Sequence, residues 1–389
     1  MTPLQAKEGH SVLHSFAECQ QLRKAWDEIV ALQCGTVEQL DATAGFDWAM
    51  ALWEDHLHAA DQEVVLSREG SEIAGILPLY RLQKTIRGVP CRSVAPLTEL
   101  YAGRTGFLLR KPGLANLEAL FAGLSELRGA WDTLLVTVVE GSRYEELLLE
   151  LASRKNLHWL VLGKERSPYI PFQDSWEQHF ASLPKKLRST MRNGEKRLRD
   201  KGGLSYQECR STDEAKQFNA AVEAIEQDSW KAAAGTSIAS NPVHQAFHVN
   251  LALRAAAEGR FSGHLLFLDG QPIAYIMGLL YGSVFLDLKE SYRVSFREMS
   301  PGHVLKSFAF ARLYEHGTRL YDFMGKCEEY KLKWTDKTYC RSTYVVFNNT
   351  LRSRFVRVMD KLFKRPAGGA PSSNGDGARN KDVAEAAVP

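Results

Sequence analysis

Leu265-Leu266-Phe267-Leu268-Asp269-Gly270-Gln271-Pro272-Ile273-Ala274 is the stretch whose reading decides the fold. Two apolar runs, 265–268 and 272–281, flank Asp269-Gly270. A two-residue turn with positive φ suits Asp and Gly and few other residues, so the pair predicts a hairpin. The run 284–289 adds a third antiparallel strand. After a polar loop, Ser300-Pro301-Gly302 opens a helix over 301–315 whose apolar positions are Val304, Leu305, Phe308, Ala309 and Leu313. A strand over 320–324 closes the unit.

The joint between the third strand and the helix is where chemistry is expected. Ser is a favoured N-cap and Pro a favoured first helical residue. Pro301 has no amide proton, but Gly302, His303 and Val304 present theirs at the positive end of the helix dipole. That arrangement predicts a cradle for a diphosphate.

Hairpin, strand, Pro-Gly helix start and following strand, in this order, resemble the Gcn-five-related N-acetyltransferase (GNAT) superfamily. Tyr321-Asp322-Phe323-Met324-Gly325 and Tyr330-Lys331-Leu332-Lys333-Trp334 narrow the resemblance to the CelD/BioF-like acyltransferase branch, related to the FemAB peptidyltransferases. It covers roughly residues 175–335. It implies an α/β fold with a mixed sheet, and acetyl-CoA or another acyl-CoA as cofactor. Leu288 and Ser300, Pro301, Gly302, His303 and Val304 are the cofactor-binding residues it implies. Backbone amides over 286–290 would meet the acyl carbonyl.

The 389 residues are enough for two domains with cores of their own. With 44% apolar and 24% charged residues and a net charge of +3, composition predicts a globular chain with no global pull toward nucleic acid or membrane. No run of eighteen apolar residues occurs, and the N-terminus lacks a charged start followed by an apolar core. A cytoplasmic location and no transmembrane segment are the resulting expectations. The six cysteines form no C-x-x-C pair, which predicts neither a zinc site nor a disulfide framework. His244 and His248 are four apart, but the Glu of H-E-x-x-H is missing, so no metal is expected there.

Residues 64–79 can be laid on 264–279 at a constant offset of two hundred, placing Gly70, Ile73, Ala74, Ile76 and Leu79 on Gly270, Ile273, Ala274, Ile276 and Leu279. Pro112-Gly113, a helix over 114–127 and a strand from Trp131 repeat the later order. Two tandem GNAT-like domains follow as the expectation: residues 1–165, non-catalytic, and residues 166–365, catalytic, joined through a Pro-bearing linker at Ser167-Pro168-Tyr169-Ile170-Pro171, with a disordered tail over 366–389. The first copy has Lys111 where the second has Ser300 and lacks the Tyr-Lys-Leu-Lys-Trp run. The site is therefore expected in the second copy.

Residues 180–201 carry Leu183, Leu187, Met191 and Leu198 on one helical face and Lys185, Arg188, Arg192, Lys196 and Arg199 on another. Such a face reads either as solvated charge or as a dock for an anion: CoA phosphates, a phosphorylated glycan precursor, or tRNA. A helix over 213–233 ends in Glu226-Gln227-Asp228-Ser229-Trp230-Lys231, similar to an acidic, Ser-Trp-Lys signature of the branch resembled.

Acyl transfer needs a base for the amine or hydroxyl nucleophile and donors for the oxyanion. Glu290 is the first candidate base and Glu226 the second, with Lys231 beside it. Trp230, Tyr330, Lys331, Arg188 and Arg192 are the acceptor-side candidates. Three readings stand: an acyl-CoA-dependent N- or O-acyltransferase acting on a sugar, a polysaccharide precursor or another small acceptor in envelope or exopolysaccharide biosynthesis; a FemAB-like transferase using aminoacyl-tRNA; and a non-catalytic scaffold of a polysaccharide-synthesis complex. DNA is not an expected partner.

Overall fold

The computed structural model describes residues 9–33, 45–55, 62–97, 107–229 and 242–363. The first half contains β1 (Gly9–Leu13), α1 (Phe16–Gln20), α2 (Arg23–Gln33), α3 (Phe46–Asp55), β2 (Gln62–Glu69), β3 (Glu72–Ile86), β4 (Val89–Pro96), β5 (Leu108–Leu109), α4 (Leu114–Gly123), β6 (Thr133–Val139), α5 (Arg143–Arg154) and β7 (Trp159–Pro171). The second contains α6 (Trp176–Ser182), α7 (Lys185–Lys201), β8 (Leu204–Cys209), α8 (Thr212–Glu226), α9 (Pro242–Ala257), β9 (Phe261–Leu268), β10 (Gln271–Tyr281), β11 (Val284–Tyr292), α10 (Pro301–Glu315), β12 (Leu320–Asp322), α11 (Glu329–Leu332), β13 (Thr338–Phe347) and α12 (Leu351–Phe363). The strands form one mixed sheet in the order β1-β2-β3-β4-β6-β13-β7-β12-β11-β10-β9-β8, with β5 beside β3.

Each half repeats one unit. Three antiparallel strands, β2 to β4 or β9 to β11, are followed by a helix and by a strand parallel to the last of the three. This is the tandem GNAT-like architecture. The Asp269-Gly270 turn has φ of 48° and 77°, as its composition requires. The offset between the hairpins is corrected by the pairing. Glu69 faces Glu72, whereas Leu268 faces Gln271, so Gly70 matches Asp269 rather than Gly270. A bulge in each hairpin leaves Ala74 and Ile273 as the extra residue, which fixes the offset at one hundred and ninety-nine.

The Pro-bearing linker is also corrected. Ser167 to Pro171 is the end of β7, which pairs with β13 as far as Pro168 and then with β12 through Tyr169, Ile170 and Pro171. Pro168 is tolerated because it falls where β7 changes partner, and its carbonyl accepts the Phe323 amide. β13, from the end of the chain's second half, inserts between β6 and β7, so the halves share one sheet. The helix expected over 180–201 is broken at Leu183-Pro184 into α6 and α7. The helix expected over 213–233 ends at Glu226; Trp230, Lys231 and residues 366–389 lie outside the described residues. Strands β1, β4, β5 and β8 lie outside the elements that the sequence pattern predicts.

Two apolar layers sandwich the second half's sheet. Tyr275, Met277, Leu279 and Leu286 pack with Phe218 and Ile225 of α8 and Phe247 of α9. Ala274, Ile276 and Phe285 pack on the other side with Leu187 and Met191 of α7 and Val304, Leu305 and Phe310 of α10. Gly278 and Gly194 are among the glycines that close approach requires. A Cβ on Gly278 would lie 2.0 Å from Cζ of the buried Phe285, and one on Gly194 of α7 would lie 2.5 Å from the Met299 carbonyl oxygen and 2.9 Å from Val304. Gly194→Ala is expected to destabilise the chain by about 1–3 kcal/mol, since backbone yields less readily than a side chain. Urea unfolding checks this, and a change under half a kcal/mol would contradict the close packing of α7 on the start of α10.

His179 of α6 lies among the rings of Phe172, Trp176, Phe310 and Tyr314, with both ring nitrogens buried and without a hydrogen-bond partner. Burial lowers its pKa to about 4. A histidine kept neutral by the fold contributes stability above its unfolded value near 6.5, and that contribution is lost as pH falls toward 4. His179→Phe is therefore expected to raise stability by about 1–3 kcal/mol and to flatten the decline between pH 6.5 and 4. Denaturant titrations across that range decide it; an unaltered slope would count against the account.

Candidate functional site

β11 and β12 run parallel but pair only through Val284–Leu320, Phe285–Tyr321 and Leu286–Asp322. Beyond Leu286 the two strands separate, and no described strand pairs with that edge of β11. On its other edge β11 is bulged: Asp287 faces Gly278 and Lys289 faces Met277, so Leu288 is the extra residue. The bulge has a chemical consequence. Residues three apart on a regular strand point to opposite faces, yet Asp287 and Glu290 are opposite Gly278 and Ile276, which are two apart on β10 and share a face. Both carboxylates are thereby turned toward α10.

Lys306 of α10 meets them. Its Nζ is 2.7 Å from Glu290 and 3.5 Å from Asp287, and it lies over the rings of Phe323, Tyr321 and Trp334 at 4.5, 5.4 and 5.7 Å. The Tyr321 hydroxyl donates to Asp287 at 2.6 Å. Lys306 is 2% exposed and Asp287 5%, so the cation and one acid are nearly dry, while the Glu290 side chain is 17% exposed. Burial first, and the neighbouring Glu290 charge second, raise the Asp287 pKa to about 6, against the opposing pull of Lys306 and Tyr321. Burial, then the Glu290 and Asp287 charges, push the Tyr330 phenol far up.

Glu226 occupies the other side of the sheet. It is 1% exposed, accepts from the Tyr275 hydroxyl at 2.6 Å and from Ser229 at 3.4 Å, and lines a narrow cleft between α8 and α9 with Asn219, Gln245 and His248. Tyr275 packs in the α8 layer whereas its neighbour Ile276 packs in the α10 layer, so the two candidate bases, Glu226 and Glu290, are not brought together. Leu288 turns its side chain toward the α8 layer. His248 directs Nδ1 at the His244 carbonyl, 2.6 Å away.

The start of α10 differs from the expected cap. Ser300 adopts a left-handed conformation, φ 52° and ψ 49°, and its side chain caps nothing. Its carbonyl instead accepts the His303 and Val304 amides, at 3.0 and 3.2 Å. Of the three donors anticipated, Gly302 is the one not committed in this way. Around Gly302 the space is nearly open: a Cβ there would meet only Tyr292, at 3.4 and 3.9 Å. His303 packs its ring on Trp334 and is kept neutral by burial, its pKa lowered to about 4. Lys331, expected to face a phosphate or the acceptor, is 7% exposed and donates to the Met324 and Lys326 carbonyls while pairing with Glu328. It fastens the loop after β12, which Ser167 also holds through the Gly325 carbonyl at 2.6 Å.

On α7, Lys185, Lys186, Arg192, Lys196, Arg197, Arg199 and Lys201 are exposed and Arg188 is half-buried. Arg192 lies over Phe180 at 5.0 Å and Arg199 pairs with Glu195 at 2.8 Å. Sequence reasoning misses Asp287, Lys306 and Tyr321 as site residues. A signal existed for Lys306, which shares a stripe with Phe310 and Leu313 at i+4 and i+7; a lysine inside an apolar stripe is an anomaly.

Residues 185–332 match the family model described as an acetyltransferase (GNAT) domain, so this stretch is a GNAT domain, as its motifs implied. Among solved structures, FemX is similar at a TM-score of 0.58 and 13% identity, over 90% of this chain and 99% of that one. The C-terminal domain of a putative lysylphosphatidylglycerol synthetase from Agrobacterium fabrum follows at 0.53 and 12%, over 88% and 96%. A protein of unknown function from Bacteroides thetaiotaomicron scores 0.52 at 11% identity, over 84% and 97%. At these identities the likeness is one of fold, and that fold is the FemX-like, GNAT type. No match was found among curated proteins.

Proposed function

We propose that this chain is an acyltransferase that moves an acyl group from an acyl-CoA onto an amine or hydroxyl of a small acceptor such as a sugar or polysaccharide precursor. The observation that carries the reading is the opening between β11 and β12 beside the start of α10. There a strand edge that β12 does not cover, a bulge at Leu288 and the Gly302 amide lie next to the Asp287–Glu290 acid pair. Bound acyl-CoA would supply a thioester, an acyl group already activated for attack; the C–S bond would break as the bond to the acceptor forms, and CoA would leave as the thiol with the acceptor's proton. Gly302 suits its diphosphate, with one free amide and the dipole of a fifteen-residue helix, worth about 0.3–1 kcal/mol for an anion. The β11 edge suits the acyl carbonyl. Glu290 is engaged by Lys306, and Asp287 is the carboxyl whose raised pKa suits proton exchange near neutral pH.

Gly302→Asp tests this. It adds a negative charge where the diphosphate would lie, against a side chain that can yield, so calorimetry on the folded variant is expected to show acetyl-CoA binding lost. Wild-type affinity in the variant would remove the site.

A second reading, aminoacyl transfer from tRNA, is favoured by one feature, the seven exposed cations of α7, which packs against the start of α10 through Gly194. Arg188→Glu, Arg192→Glu and Arg199→Glu together are expected to weaken tRNA retention on filters by at least tenfold at low salt, with the difference shrinking as salt rises. Equal retention would return α7 to a solvated face.

A further inference from the structure

We propose that α12 is a membrane-surface helix that seats the protein on anionic lipid headgroups. Helices of a globular fold ordinarily bury their apolar stripe, and α12 does the reverse. Its inner face is narrow: Ser353, Val356 and Asp360 are buried, Val356 packing with Ile86, Cys91, Leu160, Val345 and Phe347, while Asp360 pairs with Arg87 at 3.0 Å. At one hundred degrees per residue, Leu351, Phe355 and Val358 fall within about sixty degrees of one another, on the side opposite that face. They are 83%, 55% and 53% exposed.

Charge and shape select the occupant. Exposed Arg354 flanks the stripe on one side and exposed Arg352, 3.9 Å from Asp132, on the other; half-buried Arg357 lies between Arg354 and the inner face, and the one acid of the helix is buried in its ion pair. A convex ridge of three apolar side chains falls well short of the ~20–30 residues a side that a specific protein interface uses. A basic helix with an apolar stripe suits a lipid surface, where the stripe enters the acyl boundary and the arginines remain among phosphates. No described helix is long and apolar enough to cross a membrane, so the mode is one of lying on the surface.

Flotation of the full chain with vesicles of phosphatidylcholine alone, and of phosphatidylcholine with one-third phosphatidylglycerol, tests the assignment. The chain is expected to float with the anionic vesicles at least tenfold better than with the neutral ones, and less so at high salt. Phe355→Ser with Val358→Ser, at exposed positions that leave the fold intact by circular dichroism, should lower that binding at least tenfold; so should Arg354→Glu with Arg357→Glu. Equal flotation with both vesicle types, or flotation unaffected by the serine pair, overturns the proposal. A wild-type dimer that the serine pair dissociates would overturn it in favour of a second copy. Binding that arises only when residues 366–389 are deleted would do so in favour of the chain's own tail.

Discussion

Replacing Lys306 with methionine is expected to cost about 3–5 kcal/mol of stability at pH 7 and to abolish acyl transfer. Lys306 is the cation placed between Asp287 and Glu290; it and Asp287 are buried, and the Glu290 side chain is 17% exposed. Removing one partner of a buried pair leaves the other charge uncompensated, which costs far more than the pair contributes. Methionine keeps the length and the contacts with Phe323, Tyr321 and Trp334, so the loss reports charge rather than volume. Asp287, whose pKa is already raised and which Lys306 holds down, takes up its proton more readily without that cation, so the deficit is expected to shrink toward pH 5. Adding Glu290→Gln to Lys306→Met should recover part of it, as coupled neighbours do not add. Urea unfolding at both pH values measures these terms. A loss below 1 kcal/mol, equal at both, would show that Lys306 does not neutralise the acids.

Asp287→Asn is the second large effect. If Asp287 carries the proton in acyl transfer, its removal should lower the rate by about 10²–10⁴ and erase the pH-rate limb near 6. Stability gives a separate readout with a definite sign. The fold raises the Asp287 pKa to about 6, favouring the protonated form. Its contribution is therefore fully present below the unfolded value near 3.9 and is lost as pH rises through 6. The asparagine variant should gain on wild type from pH 4 to 6, by up to about 1.4 kcal/mol per pH unit, and then run parallel. A rate unchanged by the substitution, beside this stability signature, would make Asp287 a structural acid and return the role of base to Glu290 or Glu226.

What the sequence by itself determined was local. The Asp269-Gly270 turn, the helix Pro301–Glu315 and the repeated strand-helix-strand order were legible because turn chemistry, capping residues and apolar spacing act over a few residues. The GNAT reading followed from that order. Only the tertiary structure decided the site, because its parts meet through pairing that no spacing encodes. The bulge at Leu288 turns Asp287 and Glu290 to one face, and the packing of α10 brings Lys306 onto them. The Ser300 carbonyl takes two of the three anticipated amide donors, Val304 through the ordinary i→i−4 bond of a helix and His303 through a tighter i→i−3 one, which residue types alone do not fix. β7 hides a strand under two prolines because its partner changes at Pro168. The one-residue error between the hairpins has the same origin: composition aligned the glycines, whereas hydrogen-bond register, which depends on the facing strand, aligned the bulges.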